Sequence, residues 1–201
     1  MPSTVIELLN RSNLELAGKV KWGERVSKNA QGIYLVSLSN NPRENDGISN
    51  KAPVDVTKVS FWINKVHSIE LDGVRNPPAE KMVERLSRFW LPDENILYIG
   101  RTTQPLSKRV RQYYYTKLGN QGPHAGGHWL KTLSNLDDLY VYYAVCSTPK
   151  DKEDELLGSF IDNVSDATKT ILLDPIRPFP FANLEYPRGT RKKHGIGKST
   201  L

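Results

Sequence analysis

Two short segments constrain this chain more than any bulk property. Residues 32–39 (GIYLVSLS) and 96–100 (ILYIG) are dense in β-branched, aromatic and leucine side chains, and glycine or turn-forming residues bound them. Both read as strands. In the first, Tyr34, Val36 and Leu38 share one face and Ile33, Leu35 and Ser37 the other. Residues 139–146 (LYVYYAVC) read as a third strand. Helices are expected at four places: residues 4–10 with Ser3 as N-cap, Pro77-Pro78 through about Trp90, a stretch opened by Pro105, and one beginning near Lys150. This order predicts an α+β fold, a small central antiparallel sheet of about three core strands flanked by helices. Residues 57–74 read as one or two further strands ending in a turn at Asp72-Gly73. The run GNQGPHAGGH reads as a glycine-rich loop, and the proline-bearing stretch beyond residue 170 as extended. A single domain over 1–201 is expected, with 39–95 a subdomain between the first two core strands and 188–201 a basic tail.

Composition narrows the class. Eighteen Trp, Tyr and Phe among 38% hydrophobic residues exclude a disordered chain. One cysteine, Cys146, excludes an intramolecular disulfide framework or a cysteine-built zinc site. No apolar run approaches the ~20 residues of a membrane span, and the N-terminus lacks a secretory pattern, so a cytoplasmic protein without a membrane partner is expected. The net charge of +6 comes in blocks. Residues 101–131 carry six basic and no acidic side chains, 132–187 carry four basic and ten acidic, and 188–201 carry five basic and none acidic. Tyr113, Tyr114, Tyr115 and Trp129 interleave with the first basic block, as on nucleic-acid surfaces. Lys108, Arg111, Lys117, Lys131, Arg191, Lys192 and Lys193 are the candidate phosphate contacts.

The tripeptides Gly32-Ile33-Tyr34 and Tyr98-Ile99-Gly100, with Arg109 nine residues after the second and Tyr113 four further on, resemble the GIY-YIG nuclease superfamily. The resemblance covers residues 32–38 and 96–161. It implies a divalent-metal-dependent endonuclease that hydrolyses phosphodiester bonds in DNA, in restriction, defence or repair. It also implies a later helix with one metal-binding glutamate, then an asparagine. The matching helix is KDKEDELLGSFIDN, and Asn183 is the asparagine. Helix geometry selects the glutamate: against an apolar face of Leu156, Leu157, Phe160, Ile161 and Val164, Glu153 lies near the middle and Glu155 almost opposite. Glu153 is the better ligand and Glu155 the lesser. Mg²⁺ suits one carboxylate plus waters and phosphate, with Mn²⁺ an alternative.

By this resemblance Arg109 holds the scissile phosphate, and Tyr34 acts as base or orients the water. Tyr98 and Tyr113 complete the hydrogen-bond network, and Arg101 supplies stabilising charge. His124 and His128 are candidates to touch phosphate or assist the base. The two tripeptides are separated by 63 residues (35–97). That is far more than the family's usual dozen or so, so the intervening segment either reads DNA or braces the sheet. The alternative reading is a non-cleaving nucleic-acid-binding module derived from the same fold.

Overall fold

The computed structural model describes residues 2–120 and 125–198. The chain runs α1 (Val5–Arg11), β1 (Gly18–Lys21), β2 (Gly32–Ser37), α2 (Val56–Lys65), β3 (Ile69–Leu71), β4 (Val74–Arg75), α3 (Ala79–Ser87), β5 (Ile96–Thr102), α4 (Leu106–Tyr115), α5 (Ala125–Lys131), β6 (Tyr140–Val145), α6 (Pro149–Asn163), α7 (Asp166–Ile171) and β7 (Ile196–Lys198). The fold is α+β. An antiparallel sheet in the order β1-β6-β2-β5 carries helices on both faces, and a smaller sheet, β4-β3-β7, sits apart from it. Among the described residues no helix is long and apolar enough to cross a membrane.

Strand β2 is buried throughout because both faces are covered. Tyr34 and Val36 join Val141 and Tyr143 on one face, under Trp62 and Ile63 of α2, Met82 and Leu86 of α3, and Val110 of α4. Ile33 and Leu35 join Tyr142 and Ala144 on the other, under Leu8 and Leu9 of α1 and Leu156 and Phe160 of α6. The alternation expected for 32–38 is therefore the one found. The connection between β2 and β5 has no core of its own. Val59, Trp62, Ile63, Met82, Leu86 and Phe89 share one cluster with Tyr34. At ~1.5–3 kcal/mol per buried side chain, these six contribute roughly as much as the whole stability of a typical domain. Of the two roles expected for this segment, bracing the sheet is the one its packing performs.

Several expectations are corrected. The cap of α1 is Thr4, not Ser3: the Thr4 hydroxyl accepts from Glu7 N at 3.2 Å and the Glu7 carboxylate accepts from Thr4 N at 2.8 Å, a reciprocal capping box. Ser3 instead accepts from Asn163 Nδ2 at 2.6 Å. Residues 56–65 are helical rather than extended. Asp55 caps that helix by accepting from Thr57 N at 2.8 Å, and Val59, Trp62 and Ile63 bury at helical spacing despite being β-formers. The turn at Asp72-Gly73 stands, both residues at positive φ between β3 and β4, as a tight hairpin requires. Part of the glycine-rich run, from Ala125, is helix α5. Strand β1 (GKVK) completes a four-stranded sheet. Its single β-former, Val20, left no pattern to read.

The basic tail is not free. Strand β7 pairs with β3, and the segment before it packs against the core. Lys192 is 4% exposed; its ammonium donates to Pro180 O at 2.8 Å and Phe181 O at 3.0 Å and lies over the rings of Phe89 and Trp129. Burial holds its pKa well below the ordinary lysine value, and the nearby Asp174 opposes that shift.

Lys192→Ala leaves two buried carbonyls unpaired and a void between two rings. It is expected to cost ~2–4 kcal/mol, read as a Tm lower by roughly 4–16 °C in thermal denaturation. A second expectation concerns Glu94, 1% exposed, whose carboxyl is lifted to about 8 by burial and by Asp93 beside it, against a smaller opposing pull from the Ser3 backbone. The folded state then holds a proton that the unfolded chain releases near 4.5, so this group's contribution to stability falls as pH rises from about 4.5 to about 8. Glu94→Gln should melt above the wild type at pH 8, with the gap closing toward pH 5.

Candidate active site

The site begins with a close approach across two strands. Tyr34 of β2 lies opposite Gly100 of β5. A Cβ on Gly100 would come within 2.5 Å of the Tyr98 ring and 2.9 Å of the Tyr34 ring. A Cβ on Gly32 would come within 2.0 Å of the Ala144 carbonyl oxygen. Both glycines are there because a side chain has no room. Above Gly100 three rings gather: Tyr34–Tyr98 at 5.8 Å, Tyr34–Tyr113 at 6.0 Å and Tyr98–Tyr113 at 5.3 Å between centroids. Tyr113 arrives from α4, where Leu106, Val110 and Tyr113 bury one stripe against the sheet. Arg109, just before Val110, is left half-buried at that stripe's margin.

The other half of the site comes from the opposite face. Along β5, Arg101 alternates with Gly100 and so points toward α6. There its Nε meets Glu153 Oε2 at 2.7 Å. Glu153 is 22% exposed, whereas Glu155 pairs with Lys152 at 2.8 Å in solvent. The helix-face argument that separated the two glutamates is the division found. Edge strand β5, bare at Gly100, is where the two faces of the sheet reach a common cleft of about 910 Å³. Tyr98, Arg101, Arg109, Glu153 and Asn183 line it.

Burial and charge oppose each other here. Burial raises the Tyr34 phenol, while Arg109 and, to a lesser degree, the Tyr98 hydroxyl pull it back down; its hydroxyl and Arg109 Nε are both buried without a well-formed hydrogen bond. Tyr98 and Tyr113 are pushed well above the ordinary phenol value, chiefly by burial. Burial also raises Glu153, with Arg101 and then Arg109 lowering it. Arg109 thus acts on Tyr34 from one side and on Glu153 from the other. Buried polar groups held without full partners, with burial and charge opposed on a phenol and a carboxylate, mark a candidate functional site.

For a metal, the donor set decides. Glu153 and the adjacent Asp154 line the same cleft, an oxygen donor set that suits a hard cation keeping most of its waters. Among the described residues no three His, Cys, Asp or Glu gather to hold a metal, and a zinc centre with three protein ligands does not fit them.

Asn183 reaches the cleft through α7 and the loop after it, but its amide has another task. Nδ2 donates to Ile99 O at 2.8 Å and Oδ1 accepts from Ile99 N at 2.9 Å. It closes the free edge of β5 beside Tyr98. His128 is not brought to the cleft: it stacks on Trp62 and accepts from Gly119 N at 3.3 Å, bracing α5 against α2. His124 lies outside the described residues. Lys131 is corrected as a phosphate contact, since it is 8% exposed and donates to Tyr113 O and Thr116 O. Lys192 is corrected for the burial already given. Arg191 is exposed but paired with Glu185 at 3.0 Å, and Lys193, Lys108, Arg111 and Lys117 are exposed. Two cations that sequence reasoning passed over, Lys150 at the start of α6 and Arg188 in the tail, line the cleft. Arg188 belongs to a charge block that was legible; Lys150 had no signal of its own.

Gly32→Ala and Gly100→Ala test the close approach. Gly100→Ala meets ring edges that shift at a cost, and is expected to destabilise by ~1–3 kcal/mol in urea denaturation. Gly32→Ala meets backbone and should cost more. Comparison with protein-family models, with curated proteins and with solved structures finds no match for this chain.

Proposed function

We propose that this chain is a divalent-metal-dependent endonuclease of GIY-YIG type that hydrolyses phosphodiester bonds in DNA, as in restriction, defence or repair. One observation carries the reading. Tyr98, Arg109 and Glu153, from three separate elements, line one cleft, and Tyr34 lies buried against Tyr98, with Arg109 acting electrostatically on both the Tyr34 phenol and the Glu153 carboxylate. A protein needing only to grip a polyanion has no use for a half-buried carboxylate among its cations.

In this mechanism Arg109 holds the scissile phosphate and stabilises the charge that builds on it. Tyr34 accepts the proton of the attacking water or aligns it. Its phenol lies above the ordinary value, so the ionised fraction, and with it the rate, rises with pH through the neutral range. Tyr98 and Tyr113 pack the Tyr34 ring from two sides and hold it to one orientation. Glu153 is the protein ligand for Mg²⁺ or Mn²⁺, which when bound polarises the phosphoryl oxygen and steadies the leaving alkoxide. Arg101, which lines the same cleft and pairs with Glu153, adds positive charge for the phosphate.

One observation favours the non-cleaving alternative: the Arg101–Glu153 pair at 2.7 Å neutralises the carboxylate without a metal ion. A supercoiled-plasmid assay with Mg²⁺, Mn²⁺ or EDTA separates the two. Arg109→Ala and Glu153→Gln should each lose about 10²-fold or more in rate, and Tyr34→Phe should also flatten the rise with pH. A readout without turnover accompanies it. At a hundredfold excess over its Kd, Mg²⁺ adds about 2.7 kcal/mol to stability, so the wild type should melt several degrees higher and Glu153→Gln should not. Cutting undiminished in EDTA sinks the metal assignment, and no cutting of any DNA moves the reading to the binding module.

A further inference from the structure

Helix α4 presents a second working face. Arg109 turns to the cleft, whereas Lys108, Arg111 and Tyr115, at i, i+3 and i+7, share the neighbouring stripe. This stripe forms one wall of a groove of about 460 Å³ whose other wall is residues 23–26, including Arg25. Three cations thus face one carboxylate, Glu24, which already accepts from Lys21 N at 2.8 Å. Tyr115 is 73% exposed, an unusual cost for so large a ring, and the Arg111 guanidinium sits 5.5 Å from its centroid. Tyr114 is the partition between this groove and a second hollow of about 400 Å³ that contains Trp22, Phe61, Lys58 and Lys117. Aromatic rings interleaved with cations are the surface that unpaired bases and their phosphates require. A duplex keeps its base faces hidden from such rings.

We propose that the groove between residues 23–26 and α4 is a binding site for an unpaired stretch of the DNA strand that flanks the cleft, with Tyr115 stacking a base and Arg25, Lys108 and Arg111 holding its phosphates. This rests on the nuclease reading only for where the strand comes from, since Arg109 and Lys108 are adjacent on the helix. The site favours DNA with a single-stranded arm over fully paired DNA. An acidic peptide would satisfy the cations but leave the exposed rings without a function.

The test is fluorescence anisotropy of a labelled single-stranded oligodeoxynucleotide and its blunt duplex, in EDTA, with full-length protein. Tyr115→Ala is expected to weaken single-strand binding about 5- to 150-fold. Tyr115→Phe should restore it, and duplex binding should change less than twofold. Arg111→Ala should reduce the salt slope by about one for the single strand. Binding in EDTA is read without turnover, so a failure of cleavage and a failure of this site are read separately. Unchanged affinity in Tyr115→Ala, or equal loss for duplex and single strand, overturns the proposal. Displacement of the strand by polyglutamate as readily as by unlabelled strand, or RNA of the same sequence binding tenfold tighter, does so as well.

Discussion

The pairing of Tyr34 with Gly100 is the contact on which the other parts of the structure depend. Without a side chain at Gly100, the Tyr34 and Tyr98 rings settle over the backbone of an edge strand, and Tyr113 closes over them from α4. That stack fixes how α4 lies on the sheet, and hence where Arg109 emerges. Because β5 is an edge, its side chains reach around the sheet: Tyr98 and Gly100 serve one face, Arg101 the other. The bare edge is not left open. Asn183 takes both backbone groups of Ile99, and Ala182 N donates to Leu97 O at 2.9 Å, which denies the edge to another strand.

The long connection between β2 and β5 and the C-terminal segment solve the same problem from outside. The face of the sheet that carries the tyrosines is apolar and needs a cover, and α2, α3 and α5 provide it. The tail then locks that cover. Strand β7 pairs with β3, Arg85 bonds Asp72 and the His194 carbonyl, and Lys192 lies between aromatic rings of α5 and the residues after α3. Cations that appear in the sequence as a basic tail are therefore partly structural. Burial lowers the His194 imidazole to about 4 with help from Lys192 and Arg191, so this imidazole is neutral at pH 7. The exposed cations on α4 are a different population, unpaired with the acidic block and set beside exposed rings.

Legibility followed the physics of each element. Strands 32–37, 96–102 and 140–145 were visible because a buried strand is a continuous run of β-branched and aromatic residues. Helix α4 and the Glu153 face of α6 were visible because apolar stripes repeat at 3.6 residues. Helix α2 was not, because Val, Phe, Trp and Ile favour strands in isolation and only the Asp55 cap and packing against α3 decide otherwise. Strand β1 was hidden by polarity, and α5 by its glycines. Asn183 was singled out as a supporting residue, but nothing in a residue letter says that its amide will meet a strand edge.

The amino-acid sequence by itself determined the two glycine-bounded strands, the faces of β2, the stripe that holds Arg109 beside Tyr113, and the deeper burial of Glu153 than of Glu155. All of these are set within one element by period and sterics. Only the tertiary structure decided that Arg101 grips Glu153, that Lys131 and Lys192 lie inside, that His128 braces α5, and that Lys150 and Arg188 join the cleft. Those outcomes depend on which distant segment arrives next to a charge and how much water it removes. The free energy of an ionised or hydrogen-bonding group is set by that neighbourhood rather than by its place in the chain.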